Sequence, residues 1–261
     1  MESTNKFESR SSERNLAGRV ALVTGGSRGI GRATCLALAS RGAAVAVLCR
    51  SRIREAQGVV EQIQSIGARG LAMEANVLDP EAIKRSAREA VATLGRIDIL
   101  VNNAGEMTDA AVVDMTDEDW DQSLSINLTS AFRYARACIP AMKERRWGRI
   151  INVSSQVVYT GSNNHAHYSA AKSGMLGFTF SLTKELGPFG ITANVVAPGR
   201  ILTDLLLQRM EGREKEWMSQ TPMRRFGRPE EVAAAITFLA SEEARYMTGA
   251  VINVNGGLVM G

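Results

Sequence analysis

Apolar runs too short for a helix alternate with segments of helical periodicity along this chain, and that alternation constrains the fold more than any other feature. The runs are Arg19–Thr24, Ala43–Cys49, Ala68–Met73, Ile97–Asn103, Gly148–Ser154, Ile191–Ala197 and Ala250–Val254. They are rich in Val, Ile and Leu with little polar alternation, the pattern of strands covered on both faces. Between them, Gly29–Arg41 carries Ile30, Ala33, Leu36 and Ala37 at helical spacing and stops at Gly42. Further helices are predicted over about 51–66, 80–94, 165–186 and 229–240. A long one should run from Thr116 or Asp117 towards Lys143, with Pro140 ending or bending it near its last turn. Repeated strand–helix units predict a single doubly wound α/β domain over 17–261, a seven-stranded parallel sheet with helices on both faces. Residues 1–16, rich in Ser, Glu, Arg and Asn, are expected to form a disordered tail.

Charge and cysteine content exclude several function classes. The 31 Lys and Arg are interspersed with 27 Asp and Glu, leaving a net charge of +4 without a basic run. That argues against a nucleic-acid surface and suits an anionic small molecule. Cys35, Cys49 and Cys138 form no close pair and lie in apolar segments, so neither a disulfide framework nor a zinc site is expected. Free thiols fit a reducing cytoplasm. No segment approaches the ~20 apolar residues of a membrane span.

The first strand opens directly into a helix through Thr24-Gly25-Gly26-Ser27-Arg28-Gly29-Ile30-Gly31. Glycines at such a turn let the backbone approach a pyrophosphate, which then sits at the positive end of the helix. A dinucleotide in a Rossmann crevice is the expected ligand. The second strand selects between cofactors. An acid near its end would bind ribose hydroxyls, but here it ends Leu48-Cys49-Arg50. The planar fork of Arg50, with Arg28 as a second cation, suits a 2′-phosphate and therefore NADP(H).

Tyr168 and Lys172 lie four residues apart on a predicted helix and so share a face. An ammonium beside a phenol favours the phenolate, and such a tyrosine can exchange a proton with a reacting oxygen. Ser155, at the end of the fifth strand, is placed where ligands of open parallel sheets bind, and could hydrogen-bond a carbonyl oxygen.

These motifs resemble those of the short-chain dehydrogenase/reductase family. The matches are Thr24–Gly31, Asn102-Asn103-Ala104-Gly105, Asn127, Ser155, Tyr168, Lys172 and Pro198-Gly199, in the family's order from residue 18 to 257. Asn76-Val77, Arg225–Glu231 and Gly249–Gly257 add a finer similarity to 3-oxoacyl-[acyl-carrier-protein] reductases. The resemblance implies that Tyr168 donates the proton in reduction and Ser155, rather than Ser154, orients the carbonyl. It implies that Lys172 holds the nicotinamide ribose and lowers the tyrosine pKa, while Asn127 helps hold a water that links Lys172 to solvent. Gly25, Ser27, Arg28, Gly29, Ile30 and Gly31 would seat the phosphates, with Arg50 at the 2′ position. Asn76 and Val77 would meet the adenine, and Asn103 and Ala104 the ribose region. Gly105, Pro198 and Gly199 would edge the cleft, and Ile201 with Thr203 would meet the carboxamide.

The same resemblance implies a mobile substrate lid over about 202–225, a homotetramer, and a ketone or alcohol substrate carried on acyl-carrier protein or coenzyme A. Leu205, Leu206, Leu207, Met210, Trp217, Met218 and Met223 favour a substrate with a hydrophobic part. From spacing alone, an amphipathic helix packed on the body is an equal reading. Arg146 matches a family position that docks the acidic carrier protein, and Phe189 stands at a second position that is usually basic. Steroids, sugars and small ketones are alternative substrates, and a non-catalytic dinucleotide sensor is the alternative of another class. His165 and His167 have no third ligand nearby to make a metal site; a substrate-loop or subunit-contact role is one reading of them, solvent exposure is the expected one, and packing is expected for Trp147.

Overall fold

The structure, a computed structural model, describes residues 15–260. Its sheet contains β1 (Val20–Val23), β2 (Ala44–Cys49), β3 (Gly70–Glu74), β4 (Ile99–Asn102), β5 (Gly148–Val153), β6 (Ile191–Pro198) and β7 (Val251–Val254). The strand order is β3-β2-β1-β4-β5-β6-β7 and every pairing is parallel. The helices that cover it are α1 (Gly29–Ser40), α2 (Ile53–Ser65), α3 (Pro80–Leu94), α4 (Asp117–Leu124), α5 (Ser130–Arg145), α7 (Ala166–Leu186) and α10 (Pro229–Ala240). Short helices α6 (Val157–Thr160), α8 (Asp204–Met210) and α9 (Glu214–Gln220) follow β5 and β6 at the same end of the sheet.

Alternate residues of a strand point to opposite faces, so each strand feeds two cores. Ala21, Val23, Val45, Val47, Ile99 and Val101 pack with residues of α1, α2 and α10. Leu22, Ala46, Leu48, Leu100 and Ile150 pack with residues of α3, α5 and α7. The chain winds outward from β1 in one direction and from β4 in the other. The crevice between the ends of these two strands is therefore the switch point where open sheets bind ligands.

Local sequence explains the helix ends. Asp79 accepts the Glu81 N–H at 2.8 Å and Pro80 takes the first position of α3; Gly95, with φ +95°, stops it. Thr116 and Asp119 close a reciprocal capping box on α4. The long helix expected after residue 116 is present, but a π-helical turn, Ser125–Thr129, interrupts it and carries Asn127. Pro140 does not end α5, which runs on to Arg145, where Arg146 turns left-handed at φ +51°. Five residues before the end, the proline removes a single N–H bond and the helix continues past it.

The tail expected over 1–16 is corrected at its last two residues. Asn15 donates to both carboxylate oxygens of Glu243, and Leu16, 1% exposed, packs in the core beside α1. Residues 1–14 and Gly261 lie outside the described residues. All three cysteines are free and buried. Trp147 packs as expected, with the Arg19 and Arg149 guanidinium carbons 3.6 and 4.3 Å from its ring centroid. Among the described residues no helix is long and apolar enough to cross a membrane.

Candidate active site

The glycine turn between β1 and α1 is built for close approach. Gly25 and Gly29 have φ of +64° and +52°, a region L side chains rarely enter. A Cβ on Gly31 would lie 2.0 Å from the Gly25 carbonyl oxygen. The turn is fastened to the loop after β4. Thr24 Oγ1 accepts the N–H groups of Asn103 and Ala104 at 3.0 and 2.9 Å, and Asn103 Nδ2 donates to the carbonyls of Thr24 and Gly25 at 2.9 and 3.1 Å. Helix α1 has neither a capping side chain nor an acid in its first turn. Its leading N–H groups and dipole are thus left for an external anion. These features fit a pyrophosphate.

Other residues expected around a dinucleotide gather at the same sheet end. Ser27 is buried in the turn, and Ile30 packs on the core below it. Arg50, beyond β2, pairs with Glu106 at 3.2 Å, and Arg28 pairs with Asp204 at 2.9 Å. Both arginines are largely exposed and can exchange these carboxylates for a phosphate. Asn76 Oδ1 accepts the Leu78 N–H at 3.1 Å, and Val77 packs on the second core. Pro198 ends β6, and the Gly199 N–H donates to Val254. Ile201 bridges to Gly227, and the Thr203 methyl would meet a Cβ on Gly29 at 3.2 Å.

Across the crevice, α7 presents Tyr168 and Lys172 on one face, 9% and 3% exposed. Lys172 Nζ lies 5.7 Å from the tyrosine ring centroid and donates to the Val153 carbonyl at 2.9 Å. Ser154 Oγ turns inward to the Lys172 carbonyl at 2.8 Å, whereas Ser155 Oγ accepts the Val157 N–H at 3.3 Å and pulls the pKa of the Tyr168 phenol downward. Asn127 is held by its Nδ2, which donates to the carbonyls of Glu106 and Ser123 at 2.9 and 3.0 Å. A Cβ on Gly105 would come within 2.9 Å of Asn127 Oδ1 and 3.3 Å of Lys172 Nζ. The bare glycine thus leaves the space between these two polar groups open.

The electrostatics correct one expectation. Burial pushes the Tyr168 phenol up to about 12, against the downward pull of the Ser155 hydrogen bond and the Arg209 charge. Burial pushes Lys172 down to about 8. In the dinucleotide-free site desolvation dominates both groups and favours their neutral forms, so the tyrosine lies above its ordinary value rather than below it. The histidines are corrected as well. His167 is fully buried with Nε2 2.9 Å from Thr108 Oγ1, and His165 is 7% exposed between Ser162, Asp109 and Arg209. Neither faces bulk solvent, because the 103–110 loop folds over both.

The lid region forms α8 and α9, neither of which buries a side chain; Leu205, Leu207 and Met223 are exposed. This departs from the packed amphipathic helix that spacing also allowed. Near the base of the sheet, Arg146 donates to the Pro188 carbonyl at 2.8 Å, and Lys143 Nζ lies 4.7 Å over the Phe189 ring. Sequence reasoning missed Asp109, Glu106, Asp204 and Arg209. Their partners come from loops far apart in the chain, and no spacing rule reports them.

A parallel sheet in this strand order, with Ser155, Tyr168 and Lys172 at its carboxyl end opposite a glycine turn, defines a dinucleotide-dependent oxidoreductase. The chain belongs to the short-chain dehydrogenase/reductase family, and is an oxidoreductase acting on C=O or CH–OH groups. The family model described as enoyl-(acyl carrier protein) reductase matches residues 25–259. The chain is 43% identical over 246 residues to the 3-oxoacyl-[acyl-carrier-protein] reductase FabG of Escherichia coli (strain K12), covering 94% of this chain and 99% of that one. It is 44% identical over 247 residues to the FabG of Aquifex aeolicus (strain VF5), with the same coverage. Among solved structures, a blue fluorescent protein from a metagenomic library in complex with NADPH superposes with a TM-score of 0.89 at 36% identity, covering 95% of this chain and 100% of that one.

Proposed function

We propose that this enzyme reduces a 3-oxoacyl thioester, on acyl-carrier protein or coenzyme A, to the 3-hydroxy product with NADPH. The observation that carries the reading is the group of buried Tyr168 and Lys172 with half-buried Ser155, at the same sheet end as the glycine turn. A reduced nicotinamide supplies the hydride when bound. Tyr168, neutral well above physiological pH, is poised to donate a proton to the carbonyl oxygen. Ser155 holds that oxygen against the phenol. Lys172, down to about 8, exchanges protons near neutrality, and Asn127 on the far side of Gly105 can order a water beside it. Arg28 and Arg50 are the cations for the 2′-phosphate, and they support NADPH over NADH.

The thioester rests on the FabG relatives. Phe189 removes a cation from the carrier-docking region, and Lys143 over its ring puts one back beside Arg146. Consumption of NADPH and NADH with acetoacetyl-coenzyme A, an acetoacetyl-carrier protein and a panel of unrelated ketones tests the reading. NADPH and the thioesters should be preferred. The Tyr168→Phe variant should bind NADPH and lose nearly all turnover; near-normal turnover would remove Tyr168 from the chemistry. Binding without turnover of any ketone would instead favour a dinucleotide sensor.

A further inference from the structure

We propose that Arg209 is a positioning residue for the carbonyl reaction, fastening the lid to the two loops that frame Tyr168. The inference rests on the reading of Tyr168 as the proton donor. Neither lid helix has a fully buried side chain, and Leu206, Met210, Trp217 and Met218 are only half-buried, so apolar packing holds the lid weakly. Among the described residues three polar attachments are present, and one of them serves α9 alone: Arg200, after β6, donates to the Trp217 carbonyl at 2.6 Å and to Gln220 Oε1. The other two hold α8. At the start of α8, Asp204 pairs with Arg28; both side chains are about half exposed, and such single pairs contribute little. At the end of α8 the Arg209 guanidinium is 22% exposed, and although its partner Asp109 is 60% exposed, Arg209 is engaged by several groups rather than one. It donates to Asp109 Oδ1 from NH1 at 2.9 Å and meets Oδ2 from NH2 at 2.8 Å, a two-pronged grip on one carboxylate. NH2 also donates to the Met107 carbonyl at 2.7 Å, and NH1 lies 3.0 Å from His165 Nε2.

These partners are not arbitrary surface groups. Met107 and Asp109 belong to the loop that follows β4 and Gly105. His165 is the N-cap of α7, and its carbonyl accepts the Ser169 N–H at 2.8 Å, so it sets the first turn of the helix that carries Tyr168. The two loops are already joined, since Ala110 N donates to the Asn164 carbonyl at 2.9 Å and Ala110 bridges to His165. Arg209 adds the lid as a third member. Its charge pulls the phenol downward, and it holds the Asp109 carboxyl below the ordinary range. A planar fork with donors on two nitrogens can span a carboxylate and a carbonyl at once; an ammonium is a point charge without that geometry. Arg209 therefore positions the α7 cap and the lid around the phenol and adds its charge across space, without forming a bond to it.

The test uses the full chain with Arg209→Ala, Asp109→Ala, the double variant and Arg209→Lys. Hydrogen exchange in the dinucleotide-free protein should accelerate across α8, residues 204–210, and at the 165–169 turn in each alanine variant, while α9, held by Arg200, keeps its exchange. The KM for the ketone turned over fastest in the panel should rise by about tenfold or more, the scale of a charge-assisted hydrogen-bond pair. The NADPH Kd should stay within about twofold, and Arg209→Lys should recover only part of the KM. The double variant should be no worse than either single one, because both remove the same clamp. Additive losses, unchanged α8 exchange, or a KM that moves only in step with Tm and NADPH affinity would overturn the proposal. If Tyr168→Phe keeps its turnover, the reading of the site fails; if it is inactive while Arg209→Ala behaves as wild type, only the clamp fails.

Discussion

Replacing Lys172 by methionine removes an amine that the fold keeps 3% exposed and replaces it with an apolar chain of similar length. Burial lowers the lysine from 10.5 to about 8. At about 1.4 kcal/mol per pH unit, that interval corresponds to roughly 3 kcal/mol of cost for keeping the ammonium in the folded protein. Below pH 8 folded and unfolded chains both carry the proton, so the cost is present in full. Between about 8 and 10.5 the folded chain releases the proton while the unfolded chain keeps it. The unfolded state then binds more protons, and wild-type stability rises with pH relative to a variant that cannot titrate there. Tyr168 acts in the opposite sense but only above 10, its unfolded value, because burial raises it to about 12. Between pH 7.5 and 9.5 the unfolded chain also loses protons from Cys35, Cys49 and Cys138, whose thiols burial holds up in the folded protein. These are common to both proteins, so the difference between them reports the lysine. Urea unfolding of the dinucleotide-free protein, at one protein concentration, should find the stability advantage of Lys172→Met shrinking by about 2 kcal/mol across that window. Parallel stability–pH curves would mean that the amine is not desolvated, and the argument from burial would fall.

Two further substitutions probe the site's supports. Gly31→Ala puts a Cβ 2.0 Å from the Gly25 carbonyl oxygen and 2.6 Å from Asn103 Nδ2. Fluorescence titration should show NADPH affinity falling by at least about tenfold, as expected when the backbone of a phosphate turn must move; wild-type affinity would contradict the cradle. Thr179→Val removes the acceptor for Asn152 Nδ2, which in turn leaves the buried Asn102–Asn152–Thr179 chain with an orphaned donor. Chemical denaturation should register a loss of about 1–3 kcal/mol, and an unchanged midpoint would show that the chain is satisfied by other means.

The strands were legible because burial on both faces leaves an unbroken apolar run, and Gly, Pro and Asp mark the helix ends. Ser155, Tyr168 and Lys172 were legible because helical spacing and a strand end are local signals. What escaped the sequence is non-local. The Arg209 clamp joins residues about one hundred positions apart, and nothing near Arg209 distinguishes it from other lid arginines. The π turn at Asn127 adds a residue to one helical turn without any glycine or proline to announce it. The direction of the Tyr168 shift depends on burial against charge, and spacing reports only the charge. Solvent exposure is the expectation from sequence for His165 and His167, yet the loop after β4, distant in sequence, covers both.

The bond from Asn103 to Thr24 has a kinetic consequence. Strands β1, β2 and β3 pair through short crossings, Val20 with Ala44 and Val45 with Gly70, whereas the Thr24–Asn103 tie spans 79 positions. Closing a longer stretch of chain costs more entropy before any contact rewards it. The first half of the sheet can therefore gather while its phosphate turn is still unsupported, and the seat becomes competent only when β4 docks. In refolding, recovery of dinucleotide fluorescence should trail the far-ultraviolet signal of the sheet; simultaneous recovery would count against this order. A cradle encoded in the first thirty-one residues is thus completed by the arrival of the fourth strand.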